Sequence, residues 1–438
     1  VRRCTGGPAA SGTHRGSRAL PPKLSRTPVR EAVARSLAAL APAGSAALSA
    51  KAIAALWPPP HQTSITGLEQ FARCPFQHFL SRGLRLEPRA EHEVSTLDMG
   101  RLYHTILEQF VHELIETGRP LSELSTRDIA RNLKRLSELA IPQLSEQMRM
   151  AERDRRGARR RSARELPPAV IGEQLSVGKT KLQPFLTEQW FGGHSDDSLP
   201  ALELHTSDGR VVSIRGKIDR IDLLAVDGAS LAVVFDYKRS IGRRLRLDEV
   251  YHGLALQLLA YLLVVADCGE RLGRGRLVPG GAFYMPLLGG YARLPHPNDA
   301  DEEKGYRCFR PRGIVDFDWI HELEPKGDEA GRGDVFSVFR KKDGTLGDLN
   351  RTDVVPAGQL PAVLEHTRRS MTELADRWIS GDISVTPSRL GDQMPCAHCR
   401  YRAVCRMESA SCEARRLPQM SRTEVLDRIV GEEGAADG

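Results

Sequence analysis

The sequence predicts an α/β fold, a mixed central sheet flanked by helices, and three stretches predict it. Two strand-like runs, 211–224 and 231–238, flank Asp227-Gly228, a dipeptide suited to the two-residue hairpin turn because both central residues then take positive φ. An apolar helical stretch at 247–266 and a further strand at 280–286 follow, so strand and helix alternate. Upstream, residues 98–117 place Leu102, Ile106, Leu107, Phe110, Val111, Leu114 and Ile115 on one helical stripe.

Taken in order, residues 1–62 read as a tail and linker: 1–30 is basic, Gly/Pro/Ser-rich and disordered, and 31–57 is Ala-rich with helical spacing, closed by Pro58-Pro59-Pro60. A helix starts near Thr66, where Thr66-Gly67-Leu68-Glu69 fits a capping box, and Pro75 interrupts it. On the 98–117 helix, His104 falls between Val111 and Ile115 at 100° per residue and points inward. Residues 120–200 read as a helical insertion. Its basic run at 155–164 is either a solvated helix face or a phosphate-contacting surface. Residues 290–350 are rich in Gly, Asp and Arg and read as a loop-rich insertion, followed by a helix at 358–379 and a polar tail at 411–438.

The chain has 438 residues, 40% apolar and 27% charged, which excludes a disordered or fibrous chain. No apolar run approaches the ~18 residues of a membrane span. Of 63 Lys+Arg, 11 are Lys, leaving 52 Arg, for a net charge of +7. Guanidinium binds phosphate bidentately, so this usage suits nucleic acid; a GC-rich genome gives the same bias. Without an apolar leader after Val1-Arg2-Arg3-Cys4, the cytoplasm is the expected compartment. The missing initiator Met suggests a fragment of a longer chain.

The hairpin carries the first chemical signal. A two-residue turn at Asp227-Gly228 sets Asp219 directly opposite Asp236, and Lys238 shares their face. Two close carboxylates repel unless a cation sits between them. Mg²⁺ or Mn²⁺ takes carboxylate oxygens and leaves room for a phosphate oxygen and a nucleophilic water, and a nearby ammonium stabilises developing charge. Scattered charges on an exposed hairpin are the alternative, but the continuous apolar run Val233-Val234-Phe235 suits a buried strand, where charge needs a reason.

The second signal is Cys396-Ala397-His398-Cys399 with Cys405, a C-x₂-C-x₅-C spacing that fits zinc or an iron–sulfur cluster. The fourth ligand is open at this point. Cys412 would complete a local zinc module, whereas Cys74, in Cys74-Pro75-Phe76, would join both ends of the chain. Residues 172–180 imitate a phosphate-binding loop, but five residues separate Gly172 from Gly178 where four are needed. No ATP site is expected in this chain.

In order, Cys74-Pro75-Phe76, Gly100-x-x-x-His104, the 216–222 run Gly-Lys-Ile-Asp-Arg-Ile-Asp, Asp236-Tyr237-Lys238, Gln257-x-x-x-Tyr261 and Cys396, Cys399, Cys405 resemble the RecB-type nucleases of the PD-(D/E)XK superfamily. They resemble in particular the C-terminal nuclease domain of the nuclease-bearing subunits of AddAB-type helicase–nucleases. The resemblance covers about residues 63–410 and implies a restriction-endonuclease-like core. It implies a metal site of His104, Asp219, Asp236 and the Tyr237 carbonyl, with Lys238 positioning the attacking water. Gln257 and Tyr261 would support the site or the DNA strand; core packing is their other reading. Cys74, Cys396, Cys399 and Cys405 would hold a [4Fe–4S] cluster that staples the domain. The expected function is a Mg²⁺- or Mn²⁺-dependent DNA exonuclease acting on double-strand ends beside an AddA-like helicase subunit in recombinational repair. A non-cleaving DNA-end clamp and a stand-alone single-strand nuclease of the CRISPR-adaptation type are the competing expectations.

Overall fold

The computed structural model describes residues 47–87, 96–147, 152–193, 195, 197–226, 228–239, 244–268, 271–272, 277–289, 305–326, 329–405 and 414–436. Eight strands form one mixed sheet: β1 (His61–Ser64), β2 (Gln183–Phe191), β3 (Leu202–His205), β4 (Val211–Val226), β5 (Ala229–Lys238), β6 (Leu277–Pro286), β7 (Arg312–Asp316) and β8 (Val354–Val355). The order is β1-β4-β5-β6-β7-β8, with β2 and β3 also paired to β4. The pairs β1–β4, β5–β6 and β7–β8 are parallel, and the remainder are antiparallel.

The β4–β5 hairpin closes as its sequence demands. Val226 pairs Ala229, Gly228 takes φ +81°, and the ladder runs to Arg220 opposite Phe235. The same register continued places Asp219 against Asp236. Strand β4 is 16 residues long because it serves two neighbourhoods, its first part lying between β1 and β3 and its second between β2 and β5. Gly216 sits at the change-over, where an added Cβ would meet the Phe191 ring at 2.8 Å.

Helices α1 (Ile65–Arg73), α2 (Thr96–Thr117), α3 (Thr126–Gln147), α4 (Glu152–Gln174), α5 (Gln257–Asp267), α6 (Leu360–Ile379) and α7 (Arg422–Ala436) cover both faces. Ala232 and Val234 of β5 pack in one core with α5 and α6, and Val233 and Phe235 pack in the other with α2, α3 and α4. That two-sided burial is why β5 reads as an unbroken apolar run. It leaves charge only at the strand's end.

Several elements differ from expectation. The 120–200 segment is helical only as far as α4; β2 then joins the sheet against β4, with Phe191 fully buried. The 290–350 segment contains β7, whose Ile314 and Val315 are fully buried between β6 and β8. Five residues amid Gly and Arg are too few to show a period. The expected polar tail forms α7, which buries Val425, Leu426 and Ile429. The 247–266 helix is divided into Leu247–Tyr251 and α5 by Gly253 at φ +73°. Before residue 63, a helix at Ala50–Leu56 and the buried Trp57 precede β1, so the folded unit starts earlier than expected; residues 1–46 lie outside the described residues. Ser64, not Thr66, caps α1, accepting from Gly67 N at 3.1 Å. The phosphate-loop imitation begins inside α4, without the strand such a loop needs. No helix among the described residues is long and apolar enough to cross a membrane.

Candidate active site

The site lies at the C-terminal end of β5. Asp236 is 1% exposed there, and the Lys238 ammonium lies 2.5 Å from its Oδ2. That nitrogen also donates to Gln257 Oε1 at 3.0 Å, and Gln257 Nε2 donates to the Tyr261 hydroxyl at 2.7 Å. The i, i+4 pair read from the sequence thus braces the lysine. Gln257 is itself fixed by a residue that sequence reasoning did not single out. The buried Glu69 carboxylate accepts the Leu256 and Gln257 N–H groups at 2.8 and 3.1 Å, satisfying orphan donors at the start of α5.

Asp219, on β4, accepts the Tyr237 N–H at 2.8 Å through Oδ2. His104 projects from α2 with Nδ1 3.4 Å from the same oxygen, while its Nε2 donates to the Tyr237 carbonyl at 3.1 Å. The imidazole is thus hydrogen-bonded to the carbonyl that the resemblance implies as a ligand. A third carboxylate was missed entirely. Glu188 of β2 is 8% exposed and brings Oε1 to 3.3 Å from His104 Nδ1, with Lys217 paired to its other oxygen. His104, Glu188 and Asp219 place ligand-type atoms within 4.8 Å of one another. Asp236 stands outside that triple, on its Lys238 side. Glu188 holds φ +51°, an unusual conformation for a non-glycine residue that marks a constrained position. Neither that φ nor the strand that carries it shows in the sequence, since 183–191 has no clear alternation of apolar and polar residues.

The electrostatics reflect carboxylates crowded together and buried. Burial pushes the Asp236 carboxyl up, Lys238 opposes this and Asp219 adds to it, leaving it near about 7. Burial would lower His104, but its hydrogen bonds with Asp219 and Glu188 outweigh this and raise it to about 10. Asp236 Oδ2 and Glu188 Oε2 are buried and accept no hydrogen bond of good geometry. Lys238 and Lys217 are close but lie off the hydrogen-bonding directions. Unsatisfied carboxylate oxygens beside an imidazole are hard donors that fit a divalent cation.

Behind the site, Arg220 is fully buried and grips Asp222 through two hydrogen bonds of 2.6 and 2.7 Å, with Glu173 and the Tyr237 hydroxyl on its other nitrogen. Four polar groups satisfied together anchor Tyr237, and so the backbone between Asp236 and Lys238.

Cys74, Cys396, Cys399 and Cys405 line one small cavity, with Phe76, Val385 and Pro387 among its walls. None forms a disulfide. Burial pushes the Cys74 thiol up to about 11, and Cys396 and Cys399 push the same way. Clustered thiols that repel one another's charge fit a thiolate-bound metal centre. Cys412 lies outside the described residues. Cys268 is buried on its own in the α5 core.

Comparison with known proteins agrees with this geometry. The family described as the PD-(D/E)XK nuclease superfamily matches residues 62–406. The B subunit of the ATP-dependent helicase/deoxyribonuclease of Symbiobacterium thermophilum is 34% identical over 381 residues, covering 86% of this chain and 32% of the relative. The B subunits of the same enzyme from Lysinibacillus sphaericus and Geobacillus kaustophilus are 29% and 27% identical, covering 84% and 85% of this chain and 32% of each relative. The chain thus spans about a third of the length of the curated relatives it matches.

Proposed function

Because the chain belongs to the PD-(D/E)XK nuclease superfamily, we propose that it is a Mg²⁺- or Mn²⁺-dependent deoxyribonuclease domain that hydrolyses DNA from its ends. The observation that carries this reading is the convergence of His104, Glu188, Asp219, Asp236 and Lys238 on the end of one strand. Asp219, Glu188 and Asp236 would hold the cation, with His104 as its nitrogen ligand once deprotonated. A divalent ion there supplies positive charge to the scissile phosphate and lowers the pKa of water. Lys238, braced by Gln257, orients the attacking water and offsets charge growing on the phosphate oxygens. The 7%-exposed Asp219 and 1%-exposed Asp236 keep this end of the sheet partly dry, which strengthens each of these interactions.

The four cysteines would hold a [4Fe–4S] cluster joining residue 74 to residues 396–405. Its role is a staple, since it links the turn after α1 to the C-terminal part of the chain. A helicase resembling AddA is the proposed partner, and recombinational repair of double-strand ends in the cytoplasm the proposed setting. The names of the relatives, B subunits of an ATP-dependent helicase/deoxyribonuclease, support the helicase partner.

The test is degradation of linear duplex and single-stranded DNA in Mg²⁺, with EDTA and Asp236→Ala as controls. Metal-dependent loss of DNA that vanishes in the variant supports the reading. Tight binding of DNA ends without cleavage in either metal would select the non-cleaving clamp.

A further inference from the structure

The segment at 305–351, read from sequence as loops without a role, forms a groove of about 610 Å³ beside the site. Arg307, Arg310, Arg312, Arg332, Lys341 and Arg351 line it, and Asp348 is the one acid on its wall. No carboxylate among the described residues forms an ion pair with Arg307, Arg332 or Arg351, and all three are exposed. Like charges converging without counter-ions cost free energy, so an anionic ligand is the natural complement.

The groove adjoins the cleft beside Lys238. Arg312 lines both, and the cleft's other wall carries Lys238 and Gln257. At the junction, fully buried Asp353 holds two guanidiniums, Arg244 Nε at 3.0 Å and Arg312 Nε at 2.8 Å, while Arg422 donates to its backbone carbonyl at 2.9 Å. Asp353 and the nearby Asp348 make two carboxylates against three arginines, which leaves the junction positive. Phe339 also faces the groove and is 46% exposed. An exposed aromatic among cations is the arrangement that binds unpaired bases by stacking and their backbone by charge.

We infer that this groove seats the backbone and bases of a single DNA strand outside the scissile phosphodiester, and that Arg312 and Arg244 pass that strand to Lys238. This deepens the nuclease reading and rests on it for the direction toward Lys238.

The test uses the 438-residue chain, a fluorescent oligothymidylate of roughly 30 nucleotides, and anisotropy in EDTA, where no cleavage occurs. Arg307→Glu/Arg332→Glu/Arg351→Glu should weaken binding at least roughly tenfold and lower the salt slope by about two. Its circular dichroism and Tm should be unchanged. Phe339→Ala should weaken the oligonucleotide and spare a blunt duplex. Hydrolysis of bis(p-nitrophenyl) phosphate in Mn²⁺, a substrate too small to reach the groove, should match wild type in all these variants. Unchanged binding and slope in the triple variant overturn the inference. So does an equal loss for duplex with Phe339→Ala silent. Loss of association with a helicase partner while oligonucleotide binding persists would also overturn it, giving the groove to an acidic protein surface. If wild type hydrolyses neither the ester nor DNA, the nuclease reading fails, and the EDTA measurement still decides the groove.

Discussion

Glu188 and Asp219 stand on neighbouring strands and reach the same nitrogen of His104, at 3.3 and 3.4 Å. One imidazole thus joins α2 to β2 and β4. Two carboxylates at one nitrogen make Glu188 as strong a ligand candidate as Asp219. Glu188→Gln should keep the shape, lose the charge and lower Mg²⁺-dependent cleavage by roughly 10–100-fold. Raising Mg²⁺ should recover much of that loss, and a Mg²⁺ titration of cleavage rate measures it. Because Glu188 has φ +51°, Glu188→Gly should be more stable than Glu188→Ala by about 1 kcal/mol and unfold at a higher temperature. Equal melting of the two would show that the backbone there is unstrained.

The Asp219–Asp236 face was legible in sequence because Asp227-Gly228 favours a two-residue turn, the register found, and Val233-Val234-Phe235 suits a buried strand. Glu188 was not. It sits past two helices in a stretch read as helical throughout, and β2 becomes a strand only by pairing with β4, a contact distant in sequence. For the same reason β7 was hidden, since Ile314 and Val315 mean a strand only once β6 and β8 flank them. Helix α7 was read as tail because its three buried residues, Val425, Leu426 and Ile429, are diluted by charge. The cysteines show the opposite case, where spacing in sequence survived intact as a shared cavity.

Asp236 should trade stability for function. Its carboxyl is raised by burial first, so the native state holds the proton to about 7, whereas the unfolded chain releases it near ~4. Ionisation therefore opposes folding, and stability is lost as pH rises from about 4 to about 7. Asp236→Asn should abolish cleavage yet melt a few °C higher than wild type at pH 8 in EDTA. At pH 4 the two should coincide. A variant that melts lower at pH 8 would show that the Lys238 pairing outweighs the burial cost.

His104 has the opposite sign. Its native pKa of about 10 exceeds the unfolded 6.5, so its contribution is complete below 6.5 and fades as pH rises through 10. In EDTA, wild type should melt above His104→Asn at pH 6, and the gap should close toward pH 10. Metal binding requires the neutral ring. The rise in Tm on adding Mn²⁺ should therefore grow with pH between about 7 and 9. A rise independent of pH would remove His104 from the ligand set.

The cysteine cavity joins distant parts of the chain, so its loss should be felt as stability before activity. Cys74 follows α1, and the other three lie at 396–405, within reach of α1 and β1 only through the fold. A bound centre closes a loop of more than 300 residues, and closure of so long a loop restricts the unfolded state strongly. Protein purified without oxygen should be brown, with absorption near roughly 400 nm and about four irons per chain. Cys399→Ser should be colourless, melt markedly lower and be cut by protease near residues 396–405. Hydrolysis of bis(p-nitrophenyl) phosphate at low temperature should persist, because His104, Asp219 and Asp236 are held by the sheet. A colourless wild type with one zinc would replace the cluster with a tetrahedral thiolate site while leaving the staple in place. Full thermal stability in Cys399→Ser would remove the staple altogether.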